Sequence, residues 1–427
     1  EDLTDVEAGA VRAGRPARQA IRGPIRWAPP ATEAKMSHPS PLPRTVWVLG
    51  FVSLLMDISS EMIHGLLPLY LTVGLGASAL AVGVIEGVAE ATALVVKVFS
   101  GTLSDALGRR KWIAAAGYGL GAAAKPLFAL ASGAGLVFAA RFIDRVGKGI
   151  RGAPRDALIA DVTPLAARGA AYGLRQSLDT VGAFTGPLLA MALMLAWSND
   201  FRAVFWVAVI PGAAAFLLIA FAVREPAPSD GAKPAVPFSW RAARGLGGAF
   251  WGIAAAGAAL SLARFSEAFL VLRAENVGVA LAYAPLVMVG MNAVFALVAY
   301  PAGRLADRLG PQGLLAAGTA MLVAADLVLA FAANALALAA GVALWGLHMG
   351  LTQGLLAAMV AAKAPPERRG TAFGVYNLAC GAALLSASVL AGALWQFAGP
   401  RSVFLAGAAL AAGAIIVMRV AARPGRA

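Results

Sequence analysis

The chain alternates between long apolar blocks and short polar connections. The blocks, such as 112–132 and 401–422, have roughly the length that an α-helix needs to cross a bilayer core. Glycine and proline are scattered inside these blocks, which membrane-spanning helices tolerate. We therefore predict an all-α membrane protein with twelve transmembrane helices, over residues 46–73, 80–102, 112–132, 134–160, 171–197, 202–223, 247–272, 280–302, 312–333, 335–361, 372–396 and 401–422.

The composition supports this fold class. Apolar residues make up 60% of the 427 residues and charged residues only 13%, about half the charged share of a soluble domain. A soluble core of this size would lack a polar shell. The single cysteine, Cys380, lies inside an apolar block, so neither a disulfide framework nor a cysteine-based metal site is expected within one chain.

Most Lys and Arg residues lie in the short loops between the apolar blocks. The net charge of +13 is therefore not interpreted as a nucleic-acid-binding surface. The loops predicted on one side of the membrane carry almost no Lys or Arg; the exceptions are Arg202, Arg273 and Arg401. Cytoplasmic loops are enriched in Lys and Arg, so both termini and the linker 224–246 are predicted to be cytoplasmic, in a cell inner membrane. The other predicted side carries Arg109, Arg110, Lys111, Arg168, Arg224, Lys233, Arg241, Arg244, Arg304, Arg308, Lys363, Arg368, Arg369, Arg423 and Arg426.

The first 35 residues differ from the rest because they are polar, basic and without a hydrophobic stretch. We predict that Met36 is the natural start and that 1–35 is upstream sequence or a disordered tail. The alternative is a basic arm that contacts anionic lipid.

The polar linker separates two halves that repeat one another. GTLSDALGRR at 101–110 matches GRLADRLGPQ at 303–312, and FRAVFWVA at 201–208 matches PRSVFLAG at 400–407. The halves are predicted as six-helix bundles over 36–223 and 247–427. In such a duplicated unit the substrate path lies between the two repeats.

The loop after the second predicted helix resembles the signature of the major facilitator superfamily, G-x-L-a-D-r-x-G-r-k. The resemblance extends from about residue 40 to the C-terminus, and it implies two pseudo-symmetric six-helix bundles. Its glycines permit tight turns and close helix approach, and its Asp and Arg residues are expected to gate the cytoplasmic side. The residues of this gating motif and its second copy are Gly101, Asp105, Gly108, Arg109, Gly303, Asp307 and Gly310.

The fifth predicted helix carries Gly182, Gly186 and Pro187 in the order G-x-x-x-G-P, similar to a motif of drug/proton antiporters. The final glycine pair of that motif is absent. The resemblance implies proton-coupled efflux of small organic molecules. Read from the residues alone, the glycines equally fit close helix packing of any kind, and Pro187 predicts a bend.

Ionisable residues recur inside the predicted helices of the N-terminal half, where they are costly and therefore candidates for function. Near-equal numbers of acids and bases predict ion pairs. We predict that Asp57 or Glu61 carries a proton, with Arg145 as its modulating partner; the alternative is a permanent structural network. The other members of this charge network are Glu86, Glu90, Lys97, Arg141, Asp144, Lys148, Arg175 and Asp179.

A second group of polar and aromatic residues is predicted to contact the substrate. Such a surface suits an amphiphilic organic molecule, although amides and aromatic side chains also hold helices together. The candidates are His64, Glu267, Trp345, His348, Tyr376 and Asn377.

Transport is therefore the predicted function, with a small-molecule substrate, protons and the lipid bilayer as partners and a monomer as the expected state. Two alternatives remain: a proton-coupled organic-anion importer or exchanger, and a non-transporting receptor or lipid-handling protein. An enzyme is not expected, because G-x-S-x-G, P-loop and H-E-x-x-H motifs are absent. No cofactor or bound metal is predicted.

Overall fold

The structure, a computed structural model, describes residues 42–107, 109–224, 240–365 and 368–421, and these ranges contain helices but no strand. The predicted tail 1–35, the start at Met36 and most of the linker 224–246 lie outside the described residues. The N-terminal half contains α1 (Arg44–His64, continued by Leu67–Leu69 and a π-helical turn at Tyr70–Gly74), α2 (Ala79–Leu107), α3 (Arg110–Leu130), α4 (Ala134–Val162), α5 (Arg168–Ala196) and α6 (Phe201–Ala222).

The C-terminal half has the same order of elements. A short helix, Trp240–Arg244, precedes it. Its members are α7 (Gly248–Ala263 and Ala268–Asn276), α8 (Leu286–Leu309), α9 (Pro311–Phe331), α10 (Ala335–Thr352 and Leu355–Lys363), α11 (Arg369–Ala398) and α12 (Pro400–Ala421).

Eleven helical segments of the described chain are long and apolar enough to cross a membrane. The remaining predicted span, α4, is long enough at 29 residues but is too rich in charge to meet the same hydropathy criterion. Its charged side chains are accommodated by partners on neighbouring helices, described below. The predicted all-α membrane fold is confirmed.

Three predicted helices are interrupted where the sequence analysis expected continuous ones. The α1 segment breaks at Gly65–Leu66, just before Pro68, whose ring cannot continue the helical hydrogen bonding. The α7 break spans residues 264–267, and within it the Ser266 hydroxyl accepts a hydrogen bond from the Ala268 backbone N–H at 3.2 Å. The α10 break contains Gly354 with φ of +86°, a conformation that favours glycine.

The two halves repeat the same helix contacts. The pairs α3–α4, α2–α4, α3–α6, α1–α6 and α1–α5 of the first half correspond to α9–α10, α8–α10, α9–α12, α7–α12 and α7–α11 of the second. This correspondence gives the fold its pseudo-symmetry and makes equivalent positions in the two halves comparable.

Between the halves, α2 packs along α11 and α5 packs against α8. We call the end of the bundle at Val223 and Trp240 the linker end and the opposite end the distal end. A Cβ at Gly392 would lie 2.7 Å from the Ala79 carbonyl oxygen, and one at Gly87 would lie 3.0 Å from that of Leu385, so glycine is required for this approach. These close contacts lie in the distal part of α2, and they close the space between the halves on that side.

Candidate functional site

Helix α4 is the centre of an ion-pair network in the N-terminal half. Lys125 Nζ of α3 donates to Asp144 Oδ1 at 2.9 Å and to the Ser60 hydroxyl of α1 at 3.0 Å. Arg141 Nη2 donates to Glu86 Oε2 of α2 at 2.7 Å. These side chains are almost fully buried, so each charge relies on its partner in place of water.

Arg145 belongs to the same network. Its guanidinium lies 3.1 Å from Asp144 Oδ2 and 3.3 Å from Glu90 Oε1. The structure therefore joins Arg145 to α2 and to its own helix. It does not bring Arg145 into ion-pair contact with Asp57 or Glu61, the carboxylates with which the sequence analysis associated it.

His64 connects α1 to this network. Its Nδ1 lies 3.6 Å from Glu61 Oε2 and its Nε2 lies 3.7 Å from Glu86 Oε2. Both distances exceed those of ordinary hydrogen bonds, so the imidazole bridges the two carboxylates by proximity. When the His64 imidazole is protonated, its positive charge lies beside the Glu61 carboxylate.

A second set of pairs lies nearer the linker end. Arg175 Nη1 donates to Asp179 Oδ2 at 2.9 Å and lies 3.8 Å from Asp156 Oδ1. Arg155 donates to Asp156 at 3.1 Å and to the Ser53 hydroxyl of α1 at 2.9 Å. Arg175 and Asp179, both predicted members of the charge network, are thus paired with each other, and Arg175 also joins α5 to Asp156 of α4.

A cavity of about 420 Å³ lies between the halves, a volume suited to a small organic molecule. Its wall comes mainly from α1, α2, α4 and α5, and α8 contributes the side facing the C-terminal half. Its lining residues include Met56, Asp57, Glu61, Glu90, Leu94, Lys97, Tyr118, Lys148, Arg151, Arg155, Asp156, Asp179, Asn292 and Phe295.

A smaller cavity of about 220 Å³ adjoins it through shared lining residues, which include Glu61, Lys148 and Asn292. Its wall adds His64 from α1 and Glu267 from the break in α7. The break therefore places polar groups from the C-terminal half against the charged face of the N-terminal half. Across the described residues, no group of three His, Cys, Asp or Glu side chains has an arrangement that could hold a metal ion.

Asp57 differs from the other acids of the larger cavity. Its carboxylate is partly exposed on the cavity wall and has no hydrogen-bond or ion-pair partner among the described side chains. Glu61, Glu90, Asp156 and Asp179 all have basic neighbours within 4 Å. Asp57 is therefore the acid whose charge is available to a proton or a ligand.

The glycines of the α5 motif pack directly behind the two α1 carboxylates. A Cβ at Gly182 would lie 2.8 Å from Asp57 Cβ, and a Cβ at Gly186 would lie 2.8 Å from both Glu61 Cβ and the Ile58 carbonyl oxygen. Such distances are shorter than any normal carbon contact, so α5 can approach α1 only without side chains at these positions. The motif holds the backbone of α1 at the cavity.

Replacing Gly186 with Val should force α1 away from α5 and lower the free energy of unfolding by roughly 1–3 kcal/mol, as overpacking does elsewhere. Equilibrium unfolding in mixed micelles would measure the change. Gly173→Val on the same helix is the matched control, because a Cβ at Gly173 has no atom within 4 Å. Equal destabilisation by the two substitutions would contradict this role for the motif.

Several predicted substrate contacts in the C-terminal half are buried in its core. Trp345 and His348 are fully buried; Trp345 packs on Phe265 with ring centroids 5.3 Å apart, and His348 Nδ1 lies 2.8 Å from the Gly318 carbonyl oxygen. Neither these two residues nor Tyr376 and Asn377 line the two cavities described above. Glu267 and His64 are the members of that predicted group that do.

The gating motif lies at the linker end. A Cβ at Gly101 would contact Ala153 of α4 at 3.4 Å, and Arg109 is exposed where α3 begins. In the second copy, Gly310 has φ of +76° and ends α8, which requires glycine, whereas Gly303 has open space around it. Gly108 and the side chains of Asp105 and Asp307 lie outside the described residues.

Sequence reasoning missed the basic residues Arg151 and Arg155 of the cavity wall. The signal was present, because they continue the stripe that begins with Arg141, Arg145 and Lys148 at helical spacing. Asn292 and Phe295 of α8 had no such signal, since single polar and aromatic residues are common in membrane helices.

The family model of the Major Facilitator Superfamily matches residues 49–272 and 252–427. The chain belongs to the major facilitator superfamily. It is accordingly a multi-pass membrane transporter, and not an enzyme, with a small molecule as its substrate. The resemblance expected from the 101–111 motif is confirmed at the level of the superfamily.

Two relatives are similar to this chain over most of its length. An uncharacterized MFS-type transporter of Methanocaldococcus jannaschii is 29% identical over 381 residues, covering 87% of this chain and 93% of the relative. An uncharacterized protein of Mycobacterium tuberculosis is 31% identical over 363 residues, covering 83% and 87%.

Solved structures of major facilitator transporters share the fold. A bacterial homolog of the human lysosomal transporter Spinster superposes with a TM-score of 0.73 at 15% identity, over 90% of this chain and 98% of that one. The nucleoside transporter NupG gives 0.70 at 13% identity, over 90% and 100%. The human organic anion transporter MFSD10 gives 0.65 at 17% identity, over 89% and 100%.

Proposed function

We propose that this transporter exports a small organic solute in exchange for protons, by opening the larger cavity alternately to the two sides of a cell inner membrane. Asp57 is the proposed proton carrier. The observation that carries the proposal is the unpaired carboxylate of Asp57 on the wall of a cavity between two pseudo-symmetric halves. We propose further that the protein works as a monomer with both termini in the cytoplasm.

Asp57 fits this role better than Glu61. A proton carrier must gain and lose its proton during the cycle, so its charge must not be held permanently by a partner. Glu61 has His64 beside it at 3.6 Å, whereas Asp57 has no partner of this kind. Arg145 pairs with Asp144 and Glu90 and lines the smaller cavity together with Glu61, so in this scheme it acts on α1 without a direct ion pair.

The charges around Asp57 come from three helices. Glu61 lies one turn along α1, Lys148 and Arg151 face the same cavity from α4, and Asp179 faces it from α5. Protonation of Asp57 removes one negative charge from this group. A solute that depends on that charge, or is repelled by it, then binds with a different affinity, which is the basis of coupling.

The export direction rests on the similarity of the α5 motif to that of drug/proton antiporters. The glycines of this motif pack against α1 directly behind Asp57 and Glu61. A second candidate, proton-coupled import of an organic anion, is favoured by the basic residues Lys97, Lys148 and Arg151 of the cavity wall. The two candidates differ in whether proton and solute cross in opposite directions or together.

The purified protein in proteoliposomes with a pH-sensitive dye inside tests the proposal. A panel of cationic, neutral, zwitterionic and anionic amphiphiles is added under an imposed pH gradient, and proton and solute movements are recorded separately. Solute movement against the direction of proton flow supports proton-coupled export. Movement of both in the same direction supports the import candidate, and solute movement without proton movement contradicts coupling altogether.

A further inference from the structure

Most acids on the wall of the larger cavity are paired with basic residues, some of which lie outside the wall, so the unpaired charges that remain are mostly positive. Glu90 pairs with Arg145, Asp179 pairs with Arg175, and Asp156 pairs with both Arg155 and Arg175. Glu61 has His64. Among the charged residues that line the cavity in the described chain, those left without an ion pair are Asp57, Lys97, Lys148 and Arg151.

Arg151 is the decisive member of this group. Its side chain is only 5% exposed, its Nη1 is buried without a hydrogen-bond partner, and no carboxylate lies within ion-pair distance in the described chain. The guanidinium lies over the Tyr118 ring at 5.1 Å, an attraction that orients it without neutralising it. A buried cation of this kind is costly unless an anion accompanies it.

Gly121 of α3 makes room for this arrangement. A Cβ at Gly121 would lie 3.1 Å from Arg151 Nη1, so even alanine would press on the guanidinium. Arg151 is therefore held between α3 and the cavity. Guanidinium groups bind carboxylate and phosphate oxygens through paired N–H donors, which makes Arg151 suited to an anionic group on a ligand.

The two lysines extend the same positive surface. Lys148 lies one turn before Arg151 on α4, and Lys97 faces the cavity from α2; both side chains are exposed. Their charges are solvated, so they cost little when the cavity is empty, and they are free to reach a ligand. Asp57 offsets only one of the positive charges.

We propose that Arg151 and Lys148, assisted by Lys97, form a subsite for an anionic group of the transported solute, a carboxylate or a phosphate. Met56, Leu94 and Phe295 of the same wall would hold its apolar part. The solute is then a small organic anion or a zwitterion whose cationic group faces Asp57. This inference rests on the proposed function only in taking the cavity as the solute path.

Four probes of similar size separate the charge classes: benzoate, phenylalanine, benzylamine and benzyl alcohol. The measurement is the unfolding temperature of the purified full chain in detergent as each probe is titrated, because a ligand that binds the folded state stabilises it. Benzoate and phenylalanine should raise the unfolding temperature, and benzylamine and benzyl alcohol should not. Phenyl phosphate in place of benzoate distinguishes phosphate from carboxylate recognition.

The matched variants are Lys148→Gln and Lys363→Gln, since Lys363 is an exposed lysine at the end of α10 that lines neither cavity. Lys148→Gln should increase the benzoate concentration for half-maximal stabilisation about tenfold, the usual cost of losing one charged hydrogen bond. Lys363→Gln should behave as the unmodified protein. Arg151→Gln should remove stabilisation by benzoate; if that variant does not fold, Lys148→Gln carries the test.

The proposal is overturned if no anionic probe stabilises the protein, if benzylamine or benzyl alcohol does so equally, or if Lys148→Gln leaves the benzoate response unchanged. These outcomes are separate from those of the transport assay. Proton-coupled movement of purely cationic solutes would overturn this inference and leave coupling intact. Anion binding without any proton movement would support this inference and contradict proton coupling.

Discussion

Replacing Asp57 with Asn should abolish solute-driven proton movement while preserving exchange of labelled for unlabelled solute across the membrane. Asparagine has nearly the same shape, and the Asp57 carboxylate has no described partner to lose, so the fold should be retained. An amide can neither take up nor release a proton. The variant would then cycle in one protonation state, and counterflow in proteoliposomes with no pH gradient would report that cycle alone.

Glu61→Gln is the informative comparison, since Glu61 lies one turn away on the same helix and lines the same cavity. Its partner His64 ties it to Glu86, so this change should weaken the network and lower the rate without removing proton coupling. Loss of coupling in Glu61→Gln with its retention in Asp57→Asn would assign the proton to Glu61. Retention in both variants would leave the α1 carboxylates with a structural role.

The placement of charges along the helices was largely predictable from sequence, because an ionisable residue inside a membrane span requires a partner. Periodicity put Arg141, Asp144 and Arg145 on one face of α4, and the balance of acids and bases on α1 to α5 predicted ion pairs. The structure contains these pairs, between α4 and its neighbours α2 and α3. Periodicity defines a face of a helix but not the neighbour that meets it.

The sequence therefore could not predict which charged residues form ion pairs with each other. Arg145 was predicted to modulate Asp57 or Glu61. Its ion pairs are with Asp144 and Glu90, because α4 packs mainly against α3 and α2, and it shares with Glu61 only the wall of the smaller cavity. Breaks in α1, α7 and α10 were also missed, since a helical apolar pattern continues across them and only Pro68 and Gly354 give local signals.

The pseudo-symmetry of the fold makes the asymmetry of its chemistry visible. Helices α3 and α4 of the first half correspond to α9 and α10 of the second. In this correspondence, Asp326 occupies the position equivalent to Lys125, and Trp345 the position equivalent to Asp144. Lys125 and Asp144 form an ion pair at 2.9 Å, whereas their counterparts, Asp326 and the Trp345 indole N–H, have no hydrogen-bond partners among the described residues. One half thus holds its interior by charge and the other mainly by apolar packing.

Asp144→Leu should be the most destabilising single substitution in this network. It leaves Lys125 buried at 1% exposure with only the Ser60 hydroxyl as a partner, and it removes one of the two carboxylates that bind Arg145. Breaking a buried pair in this way typically costs about 3–5 kcal/mol, because the remaining charge is uncompensated. Equilibrium unfolding in mixed micelles should show a decrease of this size in the free energy of unfolding.

The double variant Lys125→Met, Asp144→Leu should recover part of that loss, since it removes both charges and leaves Arg145 with Glu90. Asp161→Asn is the control, because the Arg110–Asp161 pair, at 2.6 Å, is even shorter than the Lys125–Asp144 pair but is partly exposed at the linker end. An exposed pair contributes roughly 0–1 kcal/mol, so the control should change stability little. If Asp144→Leu costs no more than Asp161→Asn, the buried pairs of α4 do not hold the N-terminal half together, and their acids become candidates for proton transfer beside Asp57.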